Sequence, residues 1–331
     1  MSQHSGLSWG LIRKSRSSWH PEVRLGKAAC RVALFLMNGG EYQQLIRSEG
    51  TEAAARRGVA LEVFSADGDG VRQAEQIESC LGRAAEDRPS ALLVYPVRES
   101  ALLASAHRAT RLGVGFVLLG RWSAYLDDLR AEFPRLPIFS VVANQTEIGH
   151  IQGRQIRALL PHGGELVCIR GALGVSSTTR RFEGLRQALE NTSIPIFAIN
   201  CDWTQDGGAR AMTEWLQIFG ARRLPVFGVA AQNDAMAMGA KDALLKWARV
   251  RPDFSPARVP IVGCDGTPTF GQRLTKQKEI SATVIMPPTA GKAVDEVAAM
   301  LLSRAPRPDA EVVLGPSSYP ALDALTWSEA S

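Results

Sequence analysis

The feature that most limits how this chain can fold is a recurring unit: a short apolar run, a turn marked by Gly, Asn or Pro, then an amphipathic stretch of helical period. In the first half the runs are Val32–Met37, Leu61–Phe64, Ala91–Tyr95, Gly115–Leu119 and Ile138–Ala143. In the second they are Glu165–Arg170, Ile194–Asn200, Val226–Ala231, Pro260–Gly263 and Ala282–Ile285. Unbroken apolar runs of this length read as strands buried on both faces. Helices are expected between them at about Tyr42–Arg57, Val71–Ala85, Ser100–Leu112, Glu147–Leu160, Arg181–Glu190, Gly207–Phe219, Pro268–Gln277 and Ala290–Leu302, with another after Asp234. Strand–helix alternation of this kind specifies an α/β fold with a parallel, doubly wound sheet. The alternation restarts after Ala143, which gives two similar lobes. Residues 120–137 read as irregular and Gly171–Thr179 as a polar loop.

At 331 residues, the chain suits two ordinary domains. The net charge of +5 is localised. Arg13, Lys14, Arg16, Arg24, Lys27 and Arg31 face only Glu22 within the first 31 residues, and the rest of the chain is neutral. The basic balance therefore belongs to a tail, residues 1–30, expected to be disordered. No apolar stretch is long enough to span a membrane. Leu11-Ile12 is followed at once by Arg13-Lys14, so no apolar segment of export-signal length is present. As written, the chain is expected to be cytoplasmic or to start elsewhere. Cys30, Cys80, Cys168, Cys201 and Cys264 lie far apart without zinc or disulfide spacing, and read as buried small hydrophobes. No phosphate loop, dinucleotide fingerprint, nucleophile elbow or paired metal histidines occur. Catalysis, metal and cofactor are not expected.

The stretch Val226–Ala240 carries the strongest local signal. Its strand ends at Gln232-Asn233-Asp234, where Asn and Asp can cap the following helix. In open α/β sheets ligands also collect outside the carboxyl ends of strands.

This stretch, Ile261–Pro268 and Ser281–Pro288, with Ala91–Pro96, Asn144-x₄-Gly149-x₃-Gly153 and Arg181-x-x-Gly184, resembles the type I periplasmic binding proteins, in particular the ribose/galactose-binding branch. The resemblance covers about residues 31–320. It implies two Rossmann-like lobes with parallel sheets joined by three crossover strands, crossing near Ala143-Asn144, Met286-Pro287 and Leu314–Ser318. One lobe would comprise residues 31–143 and 287–314, the other 144–286 and 315–331. Ala143, Met286 and Pro287 would form the hinge.

The resemblance further implies ligand contact at Asn233, Asp265, Arg121, Trp203, Tyr42, Asn144, and Thr179 or its neighbour Arg180. Asp234 keeps a capping role. Flat aromatic faces would cover the C–H patches of a sugar, and planar polar groups would satisfy its hydroxyls. The departures from the family pattern are Gly120 for an Asp before Arg121, Cys264 for an aromatic, Met286 for the hinge Gln, Thr179 for an Arg, and Gly39-Gly40 before Tyr42. They imply a ligand larger or less polar than ribose.

The function implied is non-catalytic binding of a small polar solute, a sugar or sugar derivative, in a cleft that closes on it. The protein would be a monomeric, periplasmic receptor for an ABC-transporter permease or a sensor kinase, with no nucleic-acid partner. The alternative is a cytoplasmic ligand-sensing regulator with a repressor-like core. Too few residues precede the first strand for a helix-turn-helix.

Overall fold

The computed structural model describes residues 30–219 and 226–325. The expected basic tail, apart from Cys30, and the last residues assigned to the second lobe lie outside these.

In the first sheet, β1 (Arg31–Leu36), β2 (Ala60–Ser65), β3 (Ala91–Val94), β4 (Gly115–Leu119), β5 (Ile138–Ala143) and β11 (Glu311–Leu314) are ordered β11-β5-β4-β3-β1-β2. In the second, β6 (Glu165–Arg170), β7 (Ile196–Asn200), β8 (Phe227–Ala231), β9 (Ile261–Asp265), β10 (Ala282–Ile285) and β12 (Ser317–Tyr319) are ordered β12-β10-β9-β8-β6-β7. Neighbouring strands run parallel except β12, which is antiparallel to β10. The apolar runs are continuous because alternate residues serve opposite cores. In β1, Val32, Leu34 and Leu36 face one core and Ala33 and Phe35 the other. In β6, Val167 and Ile169 are separated from Leu166 and Cys168 in the same way. Four of the five cysteines are buried, and all five are free thiols.

Helices α1 (Glu41–Arg57), α2 (Gly70–Leu81), α3 (Leu103–Arg111) and α4 (Tyr125–Glu132) belong to the first sheet. Helices α5 (Gln145–Leu159), α6 (Ser176–Leu189), α7 (Gln205–Phe219), α8 (Asp234–Val250) and α9 (Gly271–Lys276) belong to the second. Helix α10 (Ala290–Ser303) returns to the first, packing Ala290 against Gly50 of α1. The chain thus passes between the sheets at Ala143–Asn144, at Met286–Thr289, and at Gly315-Pro316 between β11 and β12.

Two expectations fail. Residues 120–137 are not wholly irregular: α4 forms there, anchored by buried Leu126 and Leu129. The Gly171–Thr179 loop is shorter than expected, because Ser176–Thr179 already form the first turn of α6, with Thr178 buried.

Candidate ligand-binding cleft

The carboxyl ends of the two sheets supply one group of side chains. From the first sheet come Tyr42 in the opening turn of α1, Tyr95 just past β3, and Gly120-Arg121 just past β4. From the second come Trp203 beyond β7, Asn233 beyond β8, Asp265 at the end of β9, and Arg181 on α6. The Tyr42 hydroxyl donates to the Pro287 carbonyl at 2.8 Å, and its ring packs against a cluster of residues from both sheets that includes Ala143, Cys264 and Met286. Tyr42 and Tyr95 meet edge to face with centroids 6.5 Å apart. At the rim, Thr269 Oγ1 donates to Glu41 Oε2 at 2.7 Å.

Arg181 is the centre of this group. It is buried; its Nε donates to Gln145 Oε1 at 2.7 Å, one terminal nitrogen donates to the Gln232 carbonyl, and the other lies 3.2 Å from Met286 Sδ. Its guanidinium carbon sits 5.7 Å from the Trp203 ring centroid. Helix packing fixes this position. A Cβ on Gly149 would run into the Arg181 carbonyl, and one on Gly184 into the Thr146 carbonyl, so α5 and α6 cross with their backbones in contact. The Gly-containing motifs on these two helices are therefore a crossing point, and Arg181 stands beside it. Gly184, three residues on, lies on the same helix face.

Trp203 is held at a positive φ of 68°. Gly171 leaves the space its indole fills, and Asn233 Nδ2 donates to its carbonyl at 2.9 Å. A non-glycine residue persists there because its surroundings over-determine it.

The electrostatics centre on Asp265, whose φ is 97°. Burial pushes its carboxyl up to about 6, with Arg181 opposing. Its side chain has no hydrogen-bond donor among the described residues. Burial, and then Asp265, hold Asp234 well above the usual carboxylate range. Burial drives the Cys264 thiol up to about 12 against the pull of Arg181. For Arg181, burial works against the charge, but Cys264, Asp265, Tyr95 and Tyr42 together raise its pKa, so it stays cationic. Burial raises both tyrosines; next in size, Tyr95 raises Tyr42, while Arg121 draws Tyr95 back down.

The cap expected of Asp234 is made by Asn233 instead. Asn233 is the cap of α8: its Oδ1 accepts from Met236 N at 2.8 Å. One Nδ2 hydrogen remains beyond the bond to Trp203. Asp234 caps nothing. Buried, it accepts from Thr283 Oγ1 at 2.7 Å and Gly266 N at 2.9 Å, bracing the turn after β9 to β10.

Asn144 is exposed and caps α5 through Glu147 N at 3.0 Å. Thr179 and Arg180 are exposed too, and α6 brings Arg181 rather than either of them to the group. Arg121 is half-buried and forms no ion pair with Asp127 or Asp128. Trp122, beside it, is 37% exposed. Two members, Tyr95 and Arg181, were not among the expected ligand residues. The signals were present: Tyr95 closes a buried strand before Pro96, and Arg181 opens its own Gly motif. Among the described residues, no group of His, Cys, Asp or Glu side chains could hold a metal ion.

A separate groove of about 640 Å³ lies at the other end of the second sheet, by Lys241, Pro260, Glu279, Ser281 and Leu325. Pro260 and Ser281 immediately precede β9 and β10, so this groove is at their amino ends, away from Asp265.

Two mostly parallel sheets exchange the chain three times, with an arginine and an aspartate set between their carboxyl ends, and so form a two-lobed fold with a cleft. Residues 32–306 match the periplasmic binding protein domain, and the chain belongs to that family. It is 28% identical over 214 residues to a putative rhizopine-binding protein of Rhizobium meliloti, covering 63% of each. It is 26% identical over 246 residues to a xylitol-binding protein of Mycolicibacterium smegmatis, covering 73% of this chain and 62% of that protein. The chain thus spans a little over three-fifths of the length of these relatives. Among solved structures, an ABC transporter periplasmic solute binding protein from Actinobacillus succinogenes with bound D-allose superposes with a TM-score of 0.72 at 20% identity, covering 87% of this chain and 96% of that one. A Caulobacter myo-inositol binding protein bound to myo-inositol gives 0.70 at 21%, covering 88% and 93%. The fold is that of the type I periplasmic binding proteins.

Proposed function

We propose that the chain binds a sugar or polyol between its lobes, without chemical turnover, as the receptor of an ABC transporter. The observation that carries this reading is the placement of buried Arg181 and the partnerless Asp265 carboxylate beside Trp203, Tyr42 and Tyr95. A hydroxyl both donates and accepts, so one arginine and one carboxylate can serve several of them, and charge-assisted bonds are the stronger kind. Aromatic faces cover the C–H patches that remain. Asn233 contributes its free N–H. Tyr42, tied to Pro287, and Asn144, capping α5, shape the cleft rather than touch the ligand.

Ala143 and Met286–Pro287 act as the hinge. Ligand bridging the lobes shifts an open–closed equilibrium toward the closed form, held at its rim by Glu41–Thr269. The names of the relatives support this: one is called xylitol-binding, and another, 27% identical over 199 residues, is the ribose import binding protein of Salmonella typhimurium.

Thermal unfolding against a panel of sugars and polyols tests the reading. A binding class raises Tm by mass action, and Arg181→Met abolishes the rise. A panel that leaves Tm unmoved, or a rise that survives Arg181→Met, contradicts it.

A further inference from the structure

Three polar groups of the cleft find no hydrogen-bond partner among the described residues: the Asp265 carboxylate, the Tyr95 hydroxyl and the Arg121 guanidinium. The first is answered electrostatically by Arg181. Arg121 has no such answer. No ion pair among the described residues includes Arg121, and of the acids adjacent in sequence to cleft residues Asp202 pairs with Arg210, Glu41 is bonded to Thr269, and Asp234 is bonded to Thr283 and Gly266. Asp127 and Asp128 are exposed on α4.

The reason is steric. The family resemblance places an acid immediately before Arg121, but the residue is Gly120. A Cβ on Gly120 would lie 2.5 Å from Tyr95 Cζ and 2.6 Å from its hydroxyl oxygen. The tyrosine ring fills the space an acidic side chain would need, with φ of 78° at Gly120 letting the backbone pass beneath it. A neutral phenol therefore replaces a carboxylate beside an arginine, and the cleft holds one cation in excess.

Resting on the sugar-binding reading above, we infer that the preferred ligand is a sugar acid, whose carboxylate is taken by Arg121 and Tyr95 while Arg181 and Asp265 hold its hydroxyls. Arginine binds a carboxylate through two parallel N–H bonds, a geometry a neutral hydroxyl cannot match. The Tyr95 hydroxyl donates a further bond to the same group. Gly120 is the residue that makes this exchange possible.

Calorimetric titration of the full chain at neutral pH, with galacturonate, glucuronate and gluconate beside galactose, glucose and glucitol, decides the matter. We expect an acid to bind at least about ten-fold more tightly than its neutral partner, as one charge-assisted bond implies. Arg121→Gln removes that preference without unfolding the protein, since this side chain has no hydrogen-bond partner to lose among the described residues. The pair Gly120→Asp with Tyr95→Ala restores an acid and reverses the preference; Asp is among the residues that best tolerate positive φ. Equal or tighter binding of neutral sugars to the unaltered protein overturns the inference and leaves the sugar-binding reading standing. An acid preference that survives Arg121→Gln also overturns it. If no member of either set binds, both readings fall.

Discussion

At Asp265 a left-handed backbone and a carboxyl pushed up to about 6 occur together. Both follow from ending a buried strand on an acid that must turn into the cleft. Its folded pKa lies above the roughly 3.9 of an unfolded aspartate, so the folded ligand-free protein holds the proton more tightly. That contribution is full below about pH 4 and is lost as pH rises through about 6. Between those values, the Tm of the ligand-free protein should therefore fall relative to that of Asp265→Asn; parallel profiles would contradict the burial assigned here. Burial sets this titration, and Arg181 opposes it. Arg180→Met should bind ligand as the unaltered protein does, while Arg181→Met should show no binding by titration, as in thermal unfolding. Residue roles were the least legible part of the sequence. Asn233 and Asp234 are adjacent polar residues at one strand end, and composition cannot say which turns to the helix N–H groups and which to the strands. One residue of helical phase likewise separates buried Arg181 from exposed Arg180.

Helices α5 and α6 carry the constraint that places Arg181. Gly184→Ala forces the two backbones apart and should destabilise the protein by about 1–3 kcal/mol, measured by denaturant unfolding. It should also weaken ligand binding, although residue 184 touches no ligand. Asn233→Ala removes the α8 cap and the bond to Trp203, for about 1 kcal/mol. The strands were nearly all legible, because residues buried on both faces leave an unbroken apolar run. The helices were legible where the stripe was long. Helix α4 was not, because only Leu126 and Leu129 of its residues are buried. The start of α6 was hidden because Ser and Thr favour caps and turns, whereas here Ser176–Thr179 are helical.

The whole molecule is two sheets whose carboxyl ends confront each other, tied by three passages, with Tyr42 bonded to the Pro287 carbonyl in one passage and Glu41–Thr269 bridging the rim. Its architecture could be read from order and spacing of motifs, since a repeated strand–helix alternation has few alternatives. The charge balance of the cleft could not, because it depends on the Tyr95 ring occupying space beside Gly120. Ligand should make the particle more compact in solution scattering, and Thr269→Ala should shift the unliganded molecule toward its open form. The most direct measurement is a crystal structure of the protein with the panel member that raises Tm most. The ligand is expected between Tyr95 and Arg121 on one side and Arg181, Trp203 and Asp265 on the other, making bonds to both lobes. Ligand found in the groove beside Lys241 and Glu279, with the space between the lobes empty, would contradict the account.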